Sequence, residues 1–332
     1  MLTTLRNFLL PLTVFLYAIR LNAQDTGPVG TPVMQIITDF HLDLNDTAKT
    51  TGFGISRAYI GYNYQADEHF TCRIVLNIGN PEELPQPATP RRYAFFREAS
   101  IAYTADRFKV SFGITTTRHF DYLQKFWGKR LVANEFEVRN RYGFIADLGV
   151  VVDYIVSEQV SLDLAVTNGE GYSNIQLDNG VRGAAGITWK PGNQLSFRFY
   201  NDVMDQGGLM QYTASLFGGI DNRYVNFGAS FHYKTNMDLV EGQDVWGVSS
   251  TGAIKFRRNY EVFARYDYSG SVRQEGEPDP WNYARDGSFV IFGVQKAVTE
   301  NFKLALDYQD NIPWSSDMNS TGFIFLNALF RL

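Results

Sequence analysis

The stretch from residue 70 to residue 78, FTCRIVLNI, alternates apolar and polar side chains. A period of two is that of a β-strand, because successive side chains point to opposite faces of a sheet. The sequence therefore predicts a strand with one apolar and one more polar face. The apolar face holds Phe70, Cys72, Ile74, Leu76 and Ile78, and the other face holds Thr71, Arg73, Val75 and Asn77.

The same alternation recurs along the chain, for example over residues 108–115, 160–167, 195–200 and 302–309. Together these segments predict about sixteen strands. Their centres lie near residues 37, 59, 74, 100, 112, 149, 163, 185, 198, 216, 229, 250, 264, 291, 305 and 326.

The connections between these strands alternate in length. Short polar turns lie at 66–68, 105–107, 157–159, 190–193, 221–222, 257–259 and 299–301, and long connections at 43–52, 80–93, 116–142, 168–179, 202–210, 234–244, 270–286 and 310–319. Bacterial outer-membrane barrels combine an even strand count with short periplasmic turns and long extracellular loops. The sequence thus predicts an all-β fold, a transmembrane antiparallel β-barrel of about 16 strands, wide enough for an aqueous channel.

Composition favours this barrel over the alternative, an exported soluble sandwich or propeller with half-buried strands. The chain holds 19 Tyr, 26 Phe, 5 Trp and 29 Gly at 45% hydrophobic residues. After the first residues, no apolar run approaches the roughly 20 residues that a membrane helix needs. No repeat of about 20 to 50 residues indicates a propeller.

The first residues have the pattern of a secretory leader. Arg6 precedes an apolar stretch over residues 8–19, and Ala23 offers a cleavage point before Gln24. We expect residues 1–23 to be a signal peptide and residues 24–332 to be an outer-membrane barrel, located in the bacterial outer membrane and in contact with its lipid.

The charge balance argues against nucleic acid as a partner. The chain carries 30 basic and 35 acidic residues, whereas nucleic-acid binders present a strongly basic face. Cys72 is the single cysteine, so an intramolecular disulfide is excluded. An exported chain without disulfides needs a large core or a membrane to stabilise it.

Candidate catalytic residues lie in no known motif. The four histidines are His41, His69, His119 and His232, and no nucleophile elbow or metal-ligand spacing accompanies them. We therefore expect no enzyme, no cofactor and no metal site.

Charged residues on the polar faces would point into the lumen of a closed barrel. Such charges either select solutes by sign or pair across strands and keep the wall hydrated. The basic residues that we predict to line the channel are Arg57, Arg73, Lys109, Arg182 and Arg198.

The longest connection, residues 116–142, follows the fifth strand, from which general porins fold a loop inward. If it folds inward, we expect a cationic constriction that favours anions. If it stays outside, its charges belong to a solvated surface loop. Its basic residues are Arg118, Lys125, Lys129, Arg130, Arg139 and Arg141.

Residues 56–62, SRAYIGY, and 96–103, FREASIAY, together with residues 70–76 and 108–113, resemble the phosphate-selective porin O and P family. The resemblance implies a homotrimer of sixteen-stranded channels in which inward arginines and a lysine cluster pass phosphate-like anions. It places Arg57 and Arg73 at lumenal positions.

The sequence therefore favours an outer-membrane porin, a passive diffusion channel for small hydrophilic solutes with a preference for anions. The alternative is a barrel that does not conduct and acts as a receptor, an adhesin or an assembly partner.

Overall fold

The computed structural model of the chain describes residues 29–45, 51–79, 93–176, 179–256 and 259–332. The expected leader over residues 1–23 and its cleavage point lie outside the described residues. Strands make up most of what is described, interrupted by two helices and one short 3₁₀ turn.

The strands follow the predicted order along the chain. They are β1 (Val29–Asp43), β2 (Gly52–Gln65), β3 (Phe70–Gly79), β4 (Tyr93–Ala105), β5 (Phe108–Thr116), β6 (Ala146–Ile155), β7 (Val160–Thr167), β8 (Val181–Trp189), β9 (Leu195–Gln206), β10 (Leu209–Asp221), β11 (Val225–Lys234), β12 (Val245–Phe256), β13 (Tyr260–Ser271), β14 (Gly287–Ala297), β15 (Phe302–Pro313) and β16 (Thr321–Arg331). The helices are α1 (Arg118–Trp127) and α2 (Phe136–Arg139), and the 3₁₀ turn is Met237–Leu239.

Each strand pairs antiparallel with the next, and β16 pairs with β1 to close the barrel. In the closing pair, Gln35 lies opposite Arg331 and Asp43 opposite Phe323. Closure gives every strand two hydrogen-bonded neighbours, which a sheet in lipid requires because no water is present to satisfy a free edge. The predicted fold, a closed barrel of sixteen antiparallel strands, is confirmed.

The two faces of the barrel differ in the way that the alternation predicts. Ile74 is 54% exposed on the outer face, whereas its neighbour Val75 is 2% exposed. The outer face also exposes Phe53, Phe112 and Phe292, and an apolar exterior of this kind matches a hydrocarbon environment. In the described part of the chain, no helix has the length and apolar character needed to cross a bilayer.

One predicted connection is wrong. Residues 202–210, expected as a long loop, mostly belong to β9 and β10, which meet in a turn at Gly207 and Gly208. Asp202, the first residue of that expected connection, is 2% exposed in β9 and accepts a hydrogen bond from Tyr200. A charged residue inside a barrel strand, such as Asp202, can thus face the lumen, where other polar side chains bind it.

Candidate functional site

The lumen contains residues 117–145, here called the inward segment. After β5 the chain turns at Thr117 and forms α1, which ends at Gly128 with a φ of 67°, a left-handed conformation that glycine adopts without strain. Along α1, Phe126 packs directly on Gly219 of β10 and Gly228 of β11, which lie opposite each other in the sheet. The missing side chains of these two glycines make room for the aromatic ring.

The tip of the segment, residues 127–131, packs on other strands of the wall. Trp127 and Leu131 join Ile37, Phe263 and Ile291, which come from β1, β13 and β14, in a buried apolar cluster. These wall residues face inward, so the cluster lies inside the barrel. The structure thereby decides between the two alternatives for the longest connection, because the segment folds into the lumen.

The segment then returns along β11 to β15. The carboxylate of Glu135 accepts hydrogen bonds from the backbone N–H groups of Glu137 and Val138, at 2.6 and 2.8 Å, and so caps α2. Lys234 of β11 donates from Nζ to the carbonyl of Tyr142 at 3.1 Å. Backbone and side-chain contacts therefore hold the segment along its whole length.

A fully buried polar cluster joins the segment to β11, and the sequence motifs did not reveal it. Glu137 Oε1 lies 2.6 Å from His232 Nδ1, and Glu137 Oε2 lies 2.8 Å from His119 Nε2. Arg198 of β9 donates from Nε to His119 Nδ1 at 3.1 Å. His119 and His232 lie 113 positions apart in sequence numbering, so no local spacing could indicate their contact with one carboxylate.

Burial and the neighbouring charges shift the pKa values of His119, Glu135 and Glu137. Loss of water lowers the pKa of His119, and Glu137 compensates only in part. Burial alone would raise the pKa of Glu137, but the two neighbouring histidines outweigh it and hold that pKa below its ordinary range. Burial, together with repulsion from Glu137, raises the pKa of Glu135 to about 8.

The basic residues predicted to line the channel lie mostly in ion pairs on the wall. Arg73 Nε lies 2.6 Å from Glu98, and Arg198 forms two hydrogen bonds to Asp163. Arg182 Nε lies 3.9 Å from Asp202. These pairs keep carboxylate and guanidinium charges together in the lumen.

Lys109 and Arg57 complete that set. Lys109 is exposed and lies opposite Asp153 in the β5–β6 register, so the two side chains share a face. Asp153 binds Arg118 of the inward segment, and hence this face is lumenal. Arg57 is buried on β2. Whether these five residues select solutes stays a prediction.

The six basic residues of the segment do not form a ring of positive charges without carboxylate neighbours. Arg118 forms two hydrogen bonds to Asp153, Lys125 pairs with Asp121, and Lys129 pairs with Glu261 of β13. Arg141 lies 3.4 Å from Asp238. Arg139 stacks on Phe289 and donates to Asn311, while Arg130 is half-buried near the tip. Pairing therefore offsets much of the positive charge expected at a constriction.

A second connection, after β7, also reaches the lumenal wall, which the sequence did not predict. Tyr172 lies with its ring 5.7 Å from that of Phe95 and 5.2 Å from the guanidinium carbon of Arg97. Asn77 donates to the Tyr172 hydroxyl at 3.4 Å. Tyr172 thus covers part of the β3–β4 wall.

Open spaces lie on both sides of the inward segment. A cavity of about 370 Å³ lies toward the long connections, between Arg139, Arg285 and Asp286. A second cavity of about 630 Å³ lies toward the short turns, beside Tyr122 and Lys125. Each is large enough for several water molecules or a small solute.

A closed sixteen-stranded barrel with a segment folded inward after β5 defines a porin-like architecture. No protein-family model matches the chain. No curated protein matches it.

Solved structures of bacterial outer-membrane porins share the fold. OmpF of Salmonella typhi in complex with daunomycin superimposes with a TM-score of 0.69 at 11% identity, over 92% of this chain and 98% of that one. The outer membrane channel DcaP of Acinetobacter baumannii gives 0.64 at 12%, over 94% and 99%. The anion-selective porin from Comamonas acidovorans gives 0.65 at 10%, over 92% and 100%.

At such identities the likeness shows the fold, and the predicted location in the bacterial outer membrane agrees with it. The narrower resemblance to the phosphate-selective family, the absence of enzymatic activity and the trimer stay predictions.

Proposed function

We propose that this chain is a passive outer-membrane channel for small hydrophilic solutes, with a preference for anions. The observation that carries the proposal is the inward segment, which lies in the lumen between two cavities and packs on β1 and on the wall from β9 to β15. A lumen that a folded segment narrows at one level suits diffusion rather than tight binding.

The solute path in this proposal runs between the segment and the wall of β2, β3 and β4. These three strands hold three arginines, Arg57, Arg73 and Arg97, and a single carboxylate, Glu98. A lumenal wall with excess positive charge raises the local concentration of anions. Lys109 on β5 extends the proposed lining. Arg182 and Arg198, also predicted to line the channel, lie on β8 and β9 against the inward segment, and neighbouring carboxylates offset their charges.

Other parts of the proposal rest on the sequence. They are export by a leader over residues 1–23, assembly into a homotrimer, contact with outer-membrane lipid, and a phosphate-like solute. The anion-selective porin among the structural neighbours is in keeping with the charge preference.

One observation favours the second candidate function, a barrel that does not conduct and acts through its long connections. The cluster around Trp127, Leu131 and Phe263 fills part of the lumen with apolar side chains. A lumen packed in this way conducts less than an open one of the same strand number. Conductance separates the two functions.

The experiment is the reversal potential of the purified protein in a planar bilayer under a salt gradient. A wall variant combines Arg57→Gln, Arg73→Gln and Arg97→Gln. A segment variant combines Arg118→Gln, Lys125→Gln, Lys129→Gln and Arg130→Gln. The matched control is Arg223→Gln, since Arg223 stacks on Tyr224 in a short turn, outside the proposed path.

We expect discrete conductance steps and an anion-directed potential that collapses in the wall variant and persists in the control. Collapse in the segment variant alone would place selectivity on the segment. Absence of steps in all four proteins would contradict the channel and favour the second function.

A further inference from the structure

His119, Glu137 and His232 form a polar cluster whose side chains are all fully buried in the lumen. His119 lies in α1, Glu137 in α2 and His232 in β11, so the cluster joins both helices of the inward segment to the wall. Burying such groups is costly unless they are paired. The pairing therefore contributes to holding the segment in place.

The hydrogen bonding of His119 determines which of its nitrogens carries the proton. Arginine only donates, so Nδ1 of His119 must accept from Arg198 Nε, and the proton of the neutral ring lies on Nε2, facing Glu137. Arg198 cannot easily move away, because Asp163 holds both of its terminal nitrogens and Thr188 also binds one of them.

This arrangement disfavours a metal ion among the three residues, although their polar atoms lie within 4.8 Å of one another. A metal-binding histidine normally donates its second N–H to an acceptor. His119 instead faces a donor on that side, and its Nε2 proton occupies the position of a metal bond. The cluster is therefore suited to a proton.

His232 holds the other oxygen of Glu137. Its Nδ1 donates to Glu137 Oε1, and its Nε2 lies 2.7 Å from the hydroxyl of Ser230. Phe136 stacks on the ring with centroids 4.8 Å apart. On the opposite side, Tyr200 stacks on His119 at 4.2 Å. Both imidazoles are thus fixed, and the carboxylate lies between them.

We propose that His119, Glu137 and His232 form a proton-controlled clasp, which holds the inward segment in the lumen while His119 is neutral and releases it when His119 is protonated. Protonation would place an Nδ1–H group against the N–H of Arg198, so that two donors face each other without water. The proposal rests on the proposed function only for its conductance readout.

Other charged and titratable groups surround the clasp. Glu135 lies on the segment itself, two residues from Glu137. The groups on the neighbouring elements are Arg198 and Asp202 with Tyr200 on β9, Lys234 on β11, Arg265 on β13, and Tyr142 at the end of the segment.

The pH dependence follows from the directions of the shifts. The lowered pKa of His119 means that the docked segment is destabilised as the pH falls below the ordinary value of 6.5. Glu135, with a pKa raised to about 8, acts in the opposite direction between 8 and 4.5. Below pH 4.5 Glu135 has no further effect on the stability of the docked segment. Glu137 keeps its negative charge there, because its pKa lies below the ordinary range. We expect release below about pH 4.5 in the wild type.

Replacement of Glu135, whose titration opposes that of His119, allows the pH dependence of the clasp to be measured. In Glu135→Gln, release should begin below about pH 6.5 and increase by up to about tenfold per pH unit. In Glu135→Gln combined with His119→Gln, the region between 6.5 and 4.5 should be level, because glutamine accepts from Arg198 and faces Glu137 without titrating. His69→Gln in the Glu135→Gln background is the matched control, since His69 lies beside a short turn.

Two measurements test the proposal on the complete protein in lipid. Hydrogen exchange over residues 118–142, corrected for the intrinsic pH dependence, reports release without requiring a current. Single-channel conductance should rise over the same pH range. Exchange that is equal in Glu135→Gln and in its His119→Gln derivative would overturn the clasp, as would a chelator that abolishes the pH step.

Failure of the proposed function would look different. If the protein never conducts but its hydrogen exchange shows the His119-dependent step, the clasp is supported and the channel is contradicted. If the protein conducts but neither its conductance nor its hydrogen exchange depends on His119, the channel is supported and the clasp is contradicted.

Discussion

Lys129 Nζ lies 2.7 Å from Glu261 Oε2, and the pair joins the tip of the inward segment to β13. The segment leaves the wall at β5, which lies eight strands away in the closed order of sixteen. The ion pair therefore anchors the segment at the far side of the barrel, where Lys129 is 5% exposed.

Replacement of Lys129 by methionine should loosen this anchor. The change leaves Glu261 without its cation, and we expect the free energy of unfolding to fall by about 1–3 kcal/mol. Glu261 keeps some contact with water, which limits the loss. Urea titration in lipid vesicles measures the effect, and Glu261→Gln completes a double-mutant cycle. Strictly additive effects would show that the two side chains do not interact.

The close packing of Phe126 on β10 predicts a steric effect at one glycine and not at its neighbour. In Gly219→Ala, the new methyl group would collide with the Phe126 ring. We expect a loss of about 1–3 kcal/mol and faster hydrogen exchange in α1. Gly218→Ala is the control, because its methyl group would meet Phe197 at 3.4 Å, an ordinary contact. Equal effects at both positions would contradict the packing described.

Tyr172 should tune the charge of the β3–β4 wall, because its ring covers Arg97. Tyr172→Ala uncovers the guanidinium, and we expect the reversal potential to move further toward anions. Tyr172→Phe keeps the ring and should change the potential little. If the two variants behave alike, the ring does not govern access to Arg97.

Glu135 should make the stability of the barrel depend on pH. Its pKa is raised to about 8, so the folded protein holds a proton there that the unfolded chain loses above 4.5. Relative to Glu135→Gln, the wild type should lose stability as the pH rises from 4.5 to 8, by up to about 1.4 kcal/mol per pH unit. Above 8 the difference should stay level. Thermal unfolding at several pH values measures it, and a flat difference throughout would be inconsistent with the raised pKa.

Alternation predicted the strands well because barrel strands separate lipid from water along their whole length. Phe70, Cys72 and Ile74 had to face one side whatever the neighbouring strands did. The prediction was wrong for the connection at residues 202–210, since polar residues near a strand end suit either a loop or a lumenal wall. The contacts of Asp202 with Arg182 on β8 and with Tyr200 on its own strand show that it belongs to the lumenal wall.

The site was less accessible to sequence reasoning. The longest connection was identified by its length and position, and its basic residues by their type. Their pairing was not, because Asp153 and Glu261 are brought to Arg118 and Lys129 by barrel curvature. The cluster around Glu137 left no sequence signal, since its histidines come from α1 and β11.

The sequence by itself determined a barrel of sixteen antiparallel strands, because a period of two and the alternation of turn lengths act locally and at every strand. Only the tertiary structure decided that residues 117–145 lie in the lumen and which charges meet there. The physical reason is that barrel closure brings β5, β11 and β13 around one space, and contacts across that space depend on distance in three dimensions rather than along the chain.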